Sequence, residues 1–328
     1  MKIRSLQADE LDALYDLLAI SYCKEGADPA ALRASFRQVI ESDLEFNLDL
    51  NRVLEVDGRL VARIGIYDRR MFLNGKLLRV GAIGGVCTSP EFRGRGYVRA
   101  LLEDCTNYMR AHDFDVSLLF GEPAIYGKSG WQTLSAFGMS TNFKLADAGS
   151  LPVRDGDPIR DVAVLARIHQ AASSRLNGPF QRTEQYWRSW ISRVISQKKI
   201  YRLRIVGADG DAPVGYFVLK GDSEICELGW DMAQADAMAA VVQAIFADQI
   251  GATVKFRFFL PDLFDYVSAH SVAPTLDEMR WQEYYIKKEA LYRGLFKLIS
   301  NKLDVRSTAE LVCRLRSSDY VFWDLDHF

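Results

Sequence analysis

After Asp9, the apolar residues Leu11, Leu14, Tyr15, Leu17 and Leu18 recur at the spacing of one helical face. A second helical stretch opens at Asp28-Pro29, a cap followed by the residue best suited to a first turn. It sets Leu32, Phe36, Val39 and Ile40 on one stripe. The period then changes. Val53 to Val56 and Leu60 to Ile66 flank Asp57-Gly58, and Met71 to Leu73 and Lys76 to Val80 flank Asn74-Gly75. Each is an apolar run broken by a dipeptide that tolerates positive φ, which predicts an antiparallel meander over residues 51–81. Ala82 to Thr88 reads as a further strand with two glycines. Beyond Ser89-Pro90 and a short glycine-rich turn, Val98, Leu101, Leu102, Cys105, Tyr108 and Met109 form another helical stripe. Val116 to Phe120 reads as a short buried strand, and Met139 to Leu145 as the last strand of this half.

Gly149, Pro152, Gly156 and Pro158 punctuate the stretch from Ala146 to Asp161 and mark a domain boundary. Beyond that boundary the chain repeats the order of the first half. Helical patterns lie near 161–175 and 183–196. Strand patterns run from Tyr201 to Val206, Val214 to Lys220 and Glu224 to Trp230. An alanine-rich helix from about Gln234 to Gln249 precedes strand Val254 to Phe259, a short helix after Pro261, and Met279 to Ile286. The expectation is an α/β (α+β) chain of tandem domains, residues 1–150 and 151–288, each a mixed and mostly antiparallel sheet flanked by helices. The second copy is degenerate, because its strand-to-helix junction, Gly229-Trp230-Asp231-Met232-Ala233, has no glycine–arginine loop. Residues 289–328 are expected to form a short C-terminal extension of two helical pieces and an aromatic tail that packs on the rest. Tyr186, Trp187 and Trp190, like the phenylalanines between Phe256 and Phe264, read as core.

Composition narrows the partners. In 328 residues, 49% are hydrophobic and 26% charged, enough for ordinary cores. Lys and Arg number 41 against 43 Asp and Glu, so a general affinity for nucleic acid or an anionic membrane is not expected. No apolar run approaches the ~20 residues that span a bilayer. The N-terminus has no apolar signal core, so the expected location is cytoplasmic. Cys23, Cys87, Cys105, Cys226 and Cys313 are scattered without a C-x-x-C pair, and the histidines are His112, His169, His270 and His327. Neither a disulfide framework nor a metal site is expected from that set.

The segment Val86 to Leu102 carries the chemistry. A strand passes through Arg93-Gly94-Arg95-Gly96 into a helix. Glycines let a backbone approach a ligand, and a helix start leaves N–H groups unpaired. With the positive helix end, Arg93 and Arg95, such a turn suits a diphosphate. A glycine-capped loop with solvated arginines is the plainer alternative. G-x-x-x-x-G-K-[ST] is absent, and Gly94-Arg95-Gly96 has no third glycine in place after antiparallel strands, so neither the Walker loop nor the dinucleotide fingerprint fits.

Arg93-Gly94-Arg95-Gly96-Tyr97-Val98 resembles the acetyl-CoA loop of the GNAT superfamily of N-acetyltransferases, with Val98 in place of the usual small residue. Followed by Arg99-Ala100-Leu101, and in a duplicated chain, it resembles the enhanced-intracellular-survival-type group. That group's sterol-carrier-like third domain does not fit in the roughly 40 residues left after the second copy. The resemblance implies acetyl transfer from acetyl-CoA, as cosubstrate, directly to an amine in a ternary complex. It implies cofactor contacts at Val86, Cys87, Thr88, Arg93, Gly94, Arg95, Gly96, Tyr97 and Val98, in a slot where the strand of Val86 and Thr88 splays from that of Leu118 to Phe120. Tyr126, in Tyr126-Gly127-Lys128-Ser129-Gly130-Trp131, matches the family's general acid. For the base it leaves Glu122, an acidic mouth at Glu25 and Asp28 that would also meet the substrate, and the terminal carboxylate of Phe328. Cys87 reads as structural, since direct transfer needs no covalent intermediate. The partner implied is a small-molecule or peptide amine, with homo-oligomerisation left open. A non-catalytic acyl-CoA-binding regulator or scaffold, and an aminoacyl transferase of the duplicated-GNAT type, are the alternatives.

Overall fold

The structure, a computed structural model, describes residues 1–142, 144–145, 151–198, 200–207, 212–248, 253–272, 286–300, 303–317 and 321. The first half comprises strands β1 (Lys2–Ser5), β2 (Asn51–Val56), β3 (Arg59–Leu73), β4 (Lys76–Thr88), β5 (Val116–Leu119), β6 (Gln132–Thr141) and β7 (Lys144–Leu145). Its helices are α1 (Leu11–Tyr22), α2 (Pro29–Glu41), α3 (Tyr97–Ala111) and the single turn α4 (Pro123–Tyr126). The second half adds β8 (Val153–Asp155), β9 (Tyr201–Val206), β10 (Gly215–Lys220), β11 (Glu224–Trp230), β12 (Val254–Phe256) and β13 (Ser271–Val272). Its helices are α5 (Val162–Ser173), α6 (Glu184–Tyr186), α7 (Ser192–Lys198), α8 (Ala237–Asp248) and α9 (Pro261–His270). Strand β14 (Ile286–Leu298) and helix α10 (Thr308–Ser317) complete the described chain.

The meander forms at the dipeptides that predict it. Asp57 and Gly58 turn β2 into β3, and Asn74 and Gly75 turn β3 into β4, all four at positive φ. Such turns match the twist of the strands they join. Among the described residues, twelve strands share one sheet in the order β1-β2-β3-β4-β5-β14-β6-β12-β11-β10-β9-β8. Most pairs are antiparallel. The exceptions are β4 with β5 and β11 with β12, each joined by a crossover helix, α3 and α8. The strand–helix–strand order thus occurs twice, with β6 joining the halves through Met139–Thr141 against Val254–Phe256.

One expectation needs correction. Residues 289–298 are strand, part of β14, rather than helix, and among the described residues of the extension α10 is the one helix. β14 inserts between β5 and β6, pairing Leu295 with Leu119 and Ile286 with Thr141. A register shift between Ala290 and Tyr292 breaks its alternation, so Leu291, Leu295 and Leu298 fall at helix-like spacing in the sequence.

The core of the first half packs α3, through Leu101, Leu102, Cys105 and Met109, on Leu54, Ile64, Ile83 and Trp131. A second core packs α8 and α9 on β10, β11 and β12. A third gathers Tyr186, Trp187 and Trp190 with α5, as their helical spacing implies. α10 closes the far face of β6 and β14 with Leu311, Val312 and Leu315.

Candidate active site

β4 and β5 run side by side only from Val80–Ile83 against Val116–Leu119. Beyond Ile83, β4 continues to Thr88 on the arm of β3 alone, and the two strands part. At the parting β4 bulges: Arg63 pairs with Cys87 and Gly65 with Gly84, so Gly85 and Val86 together oppose Ile64. Gly85 adopts a φ of 57° there.

Arg63 underlies the bulge. It is 3% exposed. Its guanidinium donates to the carbonyls of Gly84 (3.3 Å) and Gly85 (3.1 Å), and through Nε (3.0 Å) and Nη2 to Asn51 Oδ1. A Cβ at Gly85 or Gly65 would collide with this guanidinium. The glycines of β3 and β4 therefore make room for a buried cation that fixes the bulge. On the open side, Tyr22 Oη, at the end of α1, donates to the Val86 carbonyl (2.9 Å). Burial pushes the Tyr22 phenol up to about 12, so it stays a donor.

After Pro90 the chain turns into α3. Gly94 and Gly96 take φ of 76° and 79°, which side-chain-bearing residues adopt at a cost. Gly96 caps the helix without a side chain. The amides of Gly96, Tyr97, Val98 and Arg99 find no acceptor among the described residues, as a helix start leaves them. The side chains of Tyr97 and Val98 pack on the core, so only their backbone faces outward chemistry. Arg93 does not stand free. It staples the turn to its surroundings, donating to the Thr88 carbonyl (3.3 Å) and the Ser21 carbonyl (2.9 Å). Arg95 donates to the Glu91 carbonyl (3.2 Å) and lies 4.8 Å over the Phe92 ring.

Tyr126 ends α4, which Pro123 starts just past β5. Its ring lies against Gly121, where a Cβ would overlap it. It is half-buried beside the α3 core, and burial pushes its phenol up. Its hydroxyl has no hydrogen-bond partner among the described residues. The turn after it is braced from far along the chain. Lys297 Nζ, on β14, donates to the Ser129 carbonyl (2.8 Å) and Thr106 Oγ1 (3.1 Å) and sits 4.4 Å over the buried Trp131 ring.

The acid–base candidates are dispersed. Glu122 is exposed at the N-cap of α4. Glu25 is exposed between α1 and α2, and Asp28 caps α2 by accepting from the Ala30 amide (2.9 Å). Phe328 lies outside the described residues. Cys87 is buried, and burial pushes its thiol up to about 11. Among the described residues no cluster of three His, Cys, Asp or Glu could hold a metal, and no helix is long and apolar enough to cross a membrane.

Sequence reasoning passes over Arg63, Tyr22 and Lys297. A signal exists for the first: Arg63 is the lone charge in the apolar run Leu60 to Ile66, facing Gly84-Gly85 across the hairpin. Nothing local marks the other two, because their partners lie 64 and 168 residues away.

The second strand-to-helix turn differs. Asp231 Oδ1 accepts from the Ala233 amide (3.1 Å) while Oδ2 takes Arg167 (2.9 Å), so the chain's own carboxylate occupies that turn.

A family model described as an acetyltransferase (GNAT) domain matches residues 2–134. No curated protein matches the sequence. Among solved structures, a probable N-acyltransferase of Enterococcus faecalis V583, described as a conserved protein of unknown function, superposes with a TM-score of 0.67 at 13% identity. It covers 91% of this chain and 72% of its own. A GCN5-related N-acetyltransferase from Anabaena variabilis ATCC 29413 gives 0.66 at 14% identity, over 91% and 73%. Eis1 from Mycobacterium abscessus gives 0.63 at 17% identity, over 92% and 74%. At these identities the likeness is one of fold, and it spans both halves of the chain. Residues 2–134 thus match the acetyltransferase (GNAT) domain model, and the chain as a whole is similar in fold to these solved structures, Eis1 among them.

Proposed function

We propose that the protein is an acetyl-CoA-dependent N-acetyltransferase acting on a small-molecule or peptide amine, with residues 1–150 as its catalytic unit. The observation that carries this reading is the adjacency of two features. A row of unpaired amides, Gly96 to Arg99, lies where β4 leaves β5, and the unpartnered hydroxyl of Tyr126 comes just after β5. The amides and the positive helix end suit a diphosphate. Arg93 keeps the turn in shape through Thr88 and Ser21, and the backbone does the binding. The edge of β4 from Gly84 to Thr88, which β5 does not cover, suits a pantetheine arm, with the bulge held by Arg63 and the Val86 and Thr88 carbonyls already accepting from Tyr22 and Arg93.

In this reading the acceptor ammonium gives up a proton, and its lone pair attacks the thioester carbonyl. The tetrahedral adduct collapses, the C–S bond breaks, the departing thiolate takes the Tyr126 proton, and the surplus proton on the former amine nitrogen is lost through water, which restores the phenol. A phenol raised by burial is protonated across the physiological range, as an acid must be. Glu122 and Glu25 are the uncommitted carboxylates for the first proton, together with the terminal carboxylate of Phe328. The second half, residues 151–288, walls the acceptor side without binding cosubstrate, in keeping with Asp231 at its turn.

Tyr126→Phe tests the reading. The expected result is a kcat lower by about 10²-fold or more, with acetyl-CoA affinity unchanged in calorimetry. Equal turnover removes Tyr126 as the acid. Binding of acetyl-CoA with no transfer to any of a broad panel of amines would favour a binding protein instead.

A further inference from the structure

Arg63 carries a charge that no carboxylate among the described residues cancels. It is 3% exposed, as is its neighbour Asn51. Its side-chain partners are neutral, Asn51 Oδ1 and the carbonyls of Gly84 and Gly85, and it enters no ion pair among the described residues. A guanidinium does not shed its proton to escape burial. A buried cation usually has an anion beside it, and apolar side chains in its place often serve stability as well or better. The chain nevertheless keeps glycine at 65 and 85, where any Cβ would strike the guanidinium. A net positive charge is thus built in beneath the place where β4 leaves β5.

The surroundings direct this charge at the bulge. Asn51 Nδ2 donates to the Asn47 carbonyl (2.7 Å), which turns Oδ1 toward the guanidinium. Arg63 Nη1 then reaches both bulge carbonyls. The Gly85 carbonyl and the Val86 N–H are the two ends of one peptide group. A cationic donor on that oxygen strengthens that N–H, as in any chain of linked hydrogen bonds. The field extends past the bulge. Burial raises the Tyr22 phenol and the Cys87 and Cys105 thiols, and at each of them Arg63 pulls the other way, favouring the anion. Tyr22 ends α1 and Cys105 lies on α3. These helices pack on Val53 and Leu54, adjacent residues that point to opposite faces of β2. Negative charge arising on either face at the bulge is therefore favoured.

Direct acyl transfer makes such charge twice. As the amine lone pair forms the C–N bond, the carbonyl π pair moves onto oxygen. As that pair returns, the C–S pair leaves on sulfur. We propose that Arg63 is a positioning residue for this chemistry: through the Gly85–Val86 peptide group and its own charge it stabilises the oxyanion formed from the thioester. This rests on the acetyl-CoA reading above. Arg63 itself stays in the core and acts through the bulge.

Two measurements on the full chain test this. With acetyl-CoA labelled with ¹³C at the thioester carbonyl and bound to the wild type, isotope-edited infrared spectra should place the carbonyl stretch below its value in water. In kinetics, Arg63→Met should lower kcat by about 10²-fold while acetyl-CoA affinity and amine KM stay within about three-fold. Arg63→Lys keeps the charge without the fork, and its kcat should stay within about ten-fold of wild type. A wild-type stretch at or above the water value overturns the assignment, whether or not Arg63→Met folds. An Arg63→Lys enzyme slower than wild type by about 10²-fold, or a loss shared between kcat and acetyl-CoA affinity, reduces Arg63 to a prop for the bulge and overturns it too. In each of those cases the acetyl-CoA reading stands. Failure of the wild type to bind acetyl-CoA, or binding with no transfer to any amine, overturns the function proposed above and this assignment with it.

Discussion

Gly121→Ala isolates the position of Tyr126 from everything else in the protein. Gly121 is exposed and is not among the residues at positive φ, so an alanine backbone fits there without strain. The three heavy atoms nearest the added Cβ all belong to the Tyr126 ring, with Cδ2 at 3.1 Å and Cε2 nearer still. To regain an ordinary contact of 3.4 Å at that closest atom, the ring must retreat by about 1 Å, and displacements of that size at a reacting group cost about 10²-fold in rate. Fold stability should change by no more than about 0.5–1 kcal/mol, since no buried contact or hydrogen bond is lost. Steady-state kinetics against a fixed amine, with acetyl-CoA affinity measured separately, should give a depressed kcat and an unaltered affinity. The same substitution placed in Tyr126→Ala should cost nothing further, because the ring it displaces is gone. Wild-type kcat in Gly121→Ala, or an equal loss in the Tyr126→Ala background, would refute the link between this glycine and the acid role proposed for Tyr126.

Two further outcomes concern buried titrating groups. At pH 8 in the native state, alkylation followed by mass spectrometry should label Cys313 and Cys23 and spare Cys87, Cys105 and Cys226. The last three are buried, and the Cys87 thiol, pushed up to about 11, supplies almost no thiolate; recovery of an acetylated Cys87 after a quench with acetyl-CoA would contradict direct transfer. Lys297 has a folded-state value of about 8, below that of an unfolded lysine, so between those values the unfolded chain holds a proton the native chain has shed. Stability therefore rises with pH across that window. Wild type should gain stability over Lys297→Met in urea melts between pH 8 and 10, and parallel pH profiles would show that Lys297 is not depressed.

What the sequence discloses and what it hides separate along contact distance. Hairpins at Asp57-Gly58 and Asn74-Gly75 are legible because two adjacent residues determine the backbone. The turn at Gly94 and Gly96 is legible for the same reason. β14 is not, since its strand character comes from β5 and β6 on either side, and its bulge disguises the alternation. The role of Arg63 is half legible: an arginine amid apolar strand residues announces a buried partner, but only the pairing of β3 with β4 shows that partner to be the bulge carbonyls. Tyr22 and Lys297 are invisible in principle to local pattern, because each acts on a backbone carbonyl, at Val86 and Ser129, that any residue type could supply.

The two strand-to-helix turns of this chain separate fold from chemistry. Both come after a strand that leads through a helix into a parallel neighbour, β4 to β5 and β11 to β12. At the first, glycines at positive φ leave a run of amides unclaimed. At the second, Trp230-Asp231-Met232-Ala233 has no glycine, and Asp231 takes the Ala233 amide and pairs with Arg167. A diphosphate approaching the second turn meets a carboxylate whose ionised form is favoured by the Ala233 amide and Arg167, hence a fixed negative charge. One architecture therefore appears twice with opposite electrostatics at the corresponding place. Acetyl-CoA binding at a single site per chain is the expected consequence of that difference of a few residues, since the topology is common to both halves.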